Sequence, residues 1–374
     1  MSKTQLSVII PTFNEESSIR NTLLSLLHQY DLDWKLIDPN LYQIIVVDNN
    51  STDQTLPMVK DMIDAFTEHN IYITTENKQG IVPARNHGYA LVNNNNELTT
   101  PYLASGDADV HFHPQWIATI LKTFAQDSPD IISNAGCYPT DFWMKAPTLV
   151  EKYLRDVGTI FFNKDTIEYF NLKGKQFKFT EQIFSDFIRP VTDGCFAVTK
   201  EAYLRSGGYT EEFWDDEGTK PVHGEGWRLS FVLERINAKF VYSNSASYNS
   251  DPRRLLEEPE KFLGNTSYED MANYRKPAQD LYVHLNQYAK EVNLLPVQHY
   301  IIDYYIILKC ITRPDLILNN SQYFGTCKDS LYKEIQSWWN ERKFFQGKEL
   351  FVLSKQLGEK YFETIKSSMP EIIV

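Results

Sequence analysis

Four short, largely apolar runs separated by helical patterns limit what this chain can fold into. Leu6–Ile10 and Tyr42–Val47 read as buried strands, and Ile71–Thr74 and Tyr102–Ser105 as a third and a fourth short strand. Between them lie stretches of helical spacing. Ile19, Leu23, Leu24, Leu26 and Leu27 share one stripe. Pro83 suits the first turn of a helix reaching Asn93, and Trp116, Ile117, Ile120, Leu121 and Phe124 make a further stripe. A helix over Thr55–Glu68 completes the alternation. The pattern predicts an α/β fold with a mostly parallel, Rossmann-like central sheet and helices on both faces.

Further along, strands are expected at Ile131–Cys137, Ile188–Thr199 and Lys239–Ser243. Short helices are expected from Lys200, stopped by Gly207 and Gly208, and from Glu225. The stretch from Tyr138 to Glu181 is irregular and reads as helix plus loops. Beyond Asp251 the strand signals fade, so residues 1–250 are expected to form one domain and residues 251–374 a helical C-terminal extension. Tyr300–Ile311 is too short, and too interrupted by Asp303 and Lys309, to span a bilayer, and reads as a core helix.

The chain has 374 residues, 42% of them hydrophobic, enough for a large buried core. Its formal charge of −12 argues against a general nucleic-acid binder. Four cysteines without a Cys-x-x-Cys pair fit a reducing compartment. With no signal-peptide pattern and no spanning run, the expected location is cytoplasmic, with peripheral membrane contact left open.

Ligands of open α/β sheets bind beyond the carboxyl ends of the strands. Asp48, Asn77 and Asp107 each follow such an end. Asp107-Ala108-Asp109 has two readings on its own. It is either a solvated acidic turn or, if the backbone stays extended, two carboxylates on one face. The latter suits a hard divalent cation, Mg²⁺ or Mn²⁺, held together with substrate phosphates.

The segments Leu6–Glu15, Val46–Thr55, Asn77–Asn86 and Asp107–Asp109, in that order, resemble the family 2 nucleotide-sugar glycosyltransferases of the glycosyltransferase-A fold. The resemblance, extended to the segment around Glu225, covers roughly residues 4–245. It implies transfer of a sugar, with a UDP-sugar as default donor, to an acceptor hydroxyl with inversion. Asp109 would take the metal, and Asp107 would lie by the ribose and sugar. Pro11, Thr12, Glu15, Asp48 and Asn77 would line the nucleotide-sugar site, and Arg85 would hold a positive charge near sugar or phosphate. The acceptor is open: a saccharide, a lipid-linked intermediate or a small molecule. Oligomer formation is also open.

Three departures from the family pattern stand out. Gly226 occupies the place of the aspartate that usually serves as general base, which leaves Glu225 as the favoured base, with Asp215, Asp216 and His223 as alternatives. Asn49 replaces a frequent aspartate, and one extra residue separates Asn77 from Gly80. Trp143, Trp214 and Trp227 are candidates for stacking on a sugar. Two other classes compete with the enzyme. One is a non-catalytic sugar-nucleotide-binding or assembly protein, favoured by Gly226. The other is a sugar nucleotidyltransferase, disfavoured because Pro11–Glu16 is neither glycine-rich nor basic.

Overall fold

The computed structural model describes residues 4–146, 194–257, 259, 278–291, 295–342 and 345–368. The irregular stretch expected over 138–181 falls largely outside these residues, as does the first part of the strand expected over 188–199.

An eight-stranded sheet forms the centre, in the order β3-β2-β1-β4-β7-β6-β8-β5. The strands are β1 (Leu6–Thr12), β2 (Tyr42–Asp48), β3 (Ile71–Thr75), β4 (Tyr102–Gly106), β5 (Val110–Phe112), β6 (Ile131–Cys137), β7 (Cys195–Thr199) and β8 (Phe240–Ser250). The first four run parallel, β6 is parallel to β8, and β7 and β5 are antiparallel to their neighbours. Six helices cover the faces: α1 (Ile19–Leu27), α2 (Thr55–Ala65), α3 (Ile81–Asn94), α4 (Trp116–Asp127), then, after the short α5 (Thr140–Lys145), α6 (Lys200–Ser206) and α7 (Glu225–Arg235).

The strand alternation shows directly in the packing. Leu6, Val8 and Ile10 of β1, with Ile44 and Val46 of β2, enter the core under α1, α2 and α4. Ile9, Ile45 and Val47 enter the opposite core, under α3, α6 and α7. Pro11 is tolerated in this central strand because pairing with β4 ends at Ile9, so no ladder bond is lost on that side. Helix α3 lies very close to the sheet. A Cβ on its Gly88 would come within 2.5 Å of an Ile9 methyl, which explains a glycine inside that helix.

A third core joins the C-terminal helices to the sheet domain. They are α8 (Arg253–Glu257), α9 (Ala278–Glu291), α10 (Leu295–Tyr300), α11 (Leu308–Thr312), α12 (Asp315–Asn319), α13 (Lys328–Asn340) and α14 (Gly347–Ser368), with a π-helical turn, Ile301–Ile307, between α10 and α11. Tyr138, Phe142, Trp143 and Phe231 of the first 250 residues share this core with Ile302, Ile306, Leu308 and Ile311. The Tyr300–Ile311 segment is therefore core, as expected, and no described helix is long and apolar enough to cross a membrane. Lys309 forms a buried ion pair with Glu234 of α7. Asp303, on the π-helical turn, faces Gly358 of α14, and burial pushes its carboxyl up to about 7, with Glu359 adding to the shift and Lys355 opposing it.

Two expectations need correction. Strand β8 runs to Ser250, well past Ser243, because its second half pairs with β5, a strand too short to be visible in the apolar pattern. That pairing also decides the shape of the acidic triplet. Gly106 ends β4, Asp107–Asp109 turns, and the chain leaves to join β8 at the sheet edge. The buried Ala108 accepts a hydrogen bond from the Thr22 hydroxyl through its carbonyl (2.8 Å). Asp107 and Asp109 therefore do not share one face of an extended strand.

Candidate functional site

The loops that follow β1 and β2 lock together through short polar side chains. Asn14 and Asn50 both adopt positive φ, a conformation asparagine tolerates well. Asn14 accepts from the Thr52 amide (2.8 Å), and Asp53 accepts from the amides of Glu16 and Thr55 (3.1 and 2.9 Å). Asp53 is thus a structural cap. Thr12 is buried and donates its hydroxyl to the Val47 carbonyl. Pro11 is likewise held within the buried strand.

Asn49 explains itself once its neighbours are seen. Its amide donates to the carbonyls of Glu76 and Lys78 (2.7 and 2.8 Å), and its oxygen accepts from the Gly80 amide (2.8 Å). An aspartate could not donate to the two carbonyls. Asn49 therefore fastens the loop after β3, including the extra residue before Gly80. Asn77 is exposed in that loop, with its carbonyl accepting from Asn50. Asp48 is 4% exposed, and its Oδ1 is buried with no hydrogen-bond partner among the described residues. A buried acceptor left in this state is costly.

Arg85 is 1% exposed at the start of α3. Its guanidinium donates to Asp107 Oδ1 (2.7 Å) and to the Ser105 hydroxyl, and its Nε lies 3.7 Å from Glu225 Oε1. The Tyr209 ring lies 5.6 Å from the guanidinium carbon. The next residue, Asn86, ties α3 to the chain after α6, donating to the Tyr209 carbonyl and accepting from the Tyr203 hydroxyl. Residues called from three separate segments, Arg85, Asp107 and Glu225, thus form one ionic cluster.

Glu225 is the first residue of α7, where the helix N-terminus favours a carboxylate. The bend before it depends on Gly224, at φ 83°, where a Cβ would strike the Tyr304 hydroxyl at 2.6 Å. Arg228 fixes the same bend by donating to the carbonyls of Val222, His223 and Thr210. Three carboxylates of the acidic segment before it, Glu211, Glu212 and Asp215, have structural partners. Glu212 accepts from the first amides of α14, Gly347 and Lys348, and Glu211 pairs with Lys78. Asp215 accepts from Thr219 and Lys220, and these bonds, the Thr219 hydroxyl first, lower its carboxyl to about 2, a poor setting for a general base.

Asp109 meets a different cation. Arg253, at the start of α8, donates through both Nη atoms to Glu15 (2.9 and 2.7 Å) and through Nη2 to Asp109 Oδ2 (2.9 Å). Glu15 is further held by the Ser18 hydroxyl (2.6 Å). Nothing in the local sequence marks Arg253, which lies 144 positions from Asp109. Among the described residues no cluster of three or more His, Cys, Asp and Glu is built to hold a metal. Two of the aromatic candidates serve packing. Trp143 is buried and donates to the Tyr138 carbonyl, and Trp227 meets Tyr304 edge-on at 5.1 Å; Trp214 is half exposed.

The carboxyl ends of β1, β2 and β4 thus carry a polar loop, a buried carboxylate with one unpartnered oxygen, and an acidic turn. The chain matches the family described as glycosyl transferase family 2 over residues 7–205, more than half its length, and belongs to that family. Its relatives include a glycosyltransferase, AglE, of Haloferax volcanii, 29% identical over 258 residues, covering 64% of this chain and 78% of that protein. Validoxylamine A glucosyltransferase of Streptomyces hygroscopicus subsp. limoneus is 28% identical over 136 residues, 36% of this chain and only 27% of that one. Among solved structures, the mannosyltransferase PcManGT of Pyrobaculum calidifontis, in complex with GDP-Man and Mn²⁺, aligns at a TM-score of 0.46 with 12% identity, over 99% of this chain and 88% of that one. S. aureus TarS 1-349 in complex with UDP-GlcNAc aligns at 0.42 with 13% identity, over 92% and 93%.

Proposed function

We propose that the chain transfers a sugar from a nucleoside diphosphate sugar to an acceptor hydroxyl, with inversion, using Glu225 as general base. The observation that supports this best is the Arg85 cluster. One buried guanidinium holds Asp107, assigned to the sugar end of the donor, and Glu225, assigned to the acceptor, side by side. Glu225 keeps a carboxylate where Gly226 removes the family's usual one, which favours an enzyme over a non-catalytic binder. Asp48 would accept a donor hydrogen from the base or ribose through its orphaned oxygen. The loop Pro11–Glu15, with Phe13 44% exposed, would flank the base, and Asn77 would border the nucleotide from the β3 loop.

The residues fit a divalent cation, Mn²⁺ or Mg²⁺, at Asp109. The donor set is hard carboxylate oxygen, and a cation, the Arg253 guanidinium, already bridges Asp109 and Glu15. Few protein ligands are needed where substrate phosphates complete the shell. When bound, the metal would stabilise charge on the diphosphate leaving group. Arg85 orients Asp107 and Glu225, and Glu225 takes the acceptor proton.

The donor default is a UDP-sugar; the acceptor class is a saccharide, a lipid-linked intermediate or a small molecule. The site lies in the cytoplasm on this reading, with a catalytic unit over residues 1–250. The test is a thermal-shift screen of UDP- and GDP-sugars with and without Mn²⁺, followed by a turnover assay. A donor that stabilises the protein only with Mn²⁺, and is then consumed, is the expected result. Stabilisation with no turnover across donors and acceptors would favour the non-catalytic binder.

A further inference from the structure

We propose that Arg253 serves as the chain's own cation at the donor site and makes metal binding conditional on arrival of the diphosphate. This rests on the assignment of Asp109 to the metal. Arg253 is anchored unequally. It makes two bonds to Glu15, itself fixed by Ser18, and one to Asp109. The Asp109 bond uses Nη2, which is already shared with Glu15. Withdrawal of Asp109 from this contact leaves the bidentate Glu15 pair intact, and bidentate pairs are the stronger ones. Asp109 can therefore turn to another cation while the guanidinium stays docked beside it.

That arrangement has an electrostatic consequence. A divalent ion on Asp109 without a diphosphate competes with the charge-assisted hydrogen bond from Arg253 and sits next to a fixed positive charge. Like charges at such separations repel strongly where water is scarce, and the Arg253 side chain is only 20% exposed. A diphosphate removes the penalty, because its oxygens neutralise metal and guanidinium together. Metal and diphosphate then raise each other's affinity by the same factor, as linkage requires, and Arg253 sets the size of that factor. The bridge also explains why a carboxylate at position 15, outside the acidic turn, belongs to the site. Glu15 holds the guanidinium in place.

The experiment measures Mn²⁺ binding by electron paramagnetic resonance of the free ion, first with Mn²⁺ alone and then with UDP or GDP. In Arg253→Gln, affinity for Mn²⁺ alone should rise about tenfold or more, and the factor by which the nucleotide improves it should fall correspondingly. Arg253→Lys keeps the charge but not the fork that spans both carboxylates, so it should fall between the two, and it carries the comparison if the glutamine variant folds poorly. Unchanged or weaker affinity for Mn²⁺ alone in both variants overturns the proposal. Asp109→Ala separates the two layers. If wild type and Asp109→Ala take up Mn²⁺ alike, with and without nucleotide, the metal assignment itself fails.

Discussion

The two carboxylates of the acidic turn stand two residues apart, each against a guanidinium, yet the two halves of the site are built on different terms. Arg85 is buried to 1% exposure on a long helix pressed against the sheet, and its partners Ser105 and Asp107 lie 20 and 22 positions away. Arg253 is 20% exposed on a five-residue helix, 144 positions from Asp109 and 238 from Glu15. Arg85 is architecture that happens to be charged. Arg253 is a contact that can be exchanged.

The largest expected effect falls on the exchangeable half. Asp109→Ala should lower metal-dependent transfer about a thousandfold or more, because several kcal/mol of leaving-group stabilisation disappear. Its thermal midpoint should barely move. Retention of full activity would remove the metal from Asp109. Glu225→Gln should reduce kcat about a hundredfold or more while nucleotide affinity stays near wild type, measured by calorimetry. An unchanged rate places the base elsewhere.

Stability should show the reverse ranking. Arg85→Gln takes a buried guanidinium away from Ser105, Asp107 and Glu225 and should lower stability measurably in a denaturant titration. Arg253→Gln, whose guanidinium is 20% exposed against 1% for Arg85, should cost less. Similar losses for both would erase the distinction between the halves.

The smallest effect concerns pH and lies outside the site. Folding raises the Asp303 carboxyl from 3.8 to about 7, so the folded state binds more protons than the unfolded state between those values. Stability contributed at this group is present below the unfolded value and is lost as pH rises through about 7. Asp303→Asn should stabilise the protein modestly at pH 8 and hardly at all at pH 4. Equal effects at both would show that packing against Gly358, not charge, governs the position.

The part of the site legible in the sequence is the part made of local segments. Each of the first four strands carries its signal in a run of four to six residues, Asp48, Asn77 and Asp107 follow from position relative to those runs, and Arg85 from the family resemblance. Glu225 was legible through the helix it opens. What stayed hidden depends on pairing across the chain. Strand β5 has three residues and exists because β8 is there, so the turn at Asp107–Asp109 could not be told from a continued strand. Asn49 read as a departure, since the carbonyls it satisfies belong to a loop 27 and 29 positions on. Arg253 read only as the start of a helical run.

The end of β8 has a bearing on how separable this protein is. Within four residues the chain pairs Ser250 with Val110, donates the Asp251 amide to the Asp109 carbonyl (3.3 Å), and places Arg253 on the Asp109 carboxylate. A gene cut at the apparent border near residue 250 would keep the four family-like segments and lose the counter-charge beside Asp109. On the proposed assignment the first turn past β8 supplies a guanidinium to the site, so a version cut at residue 250 would keep the motifs and lose that charge.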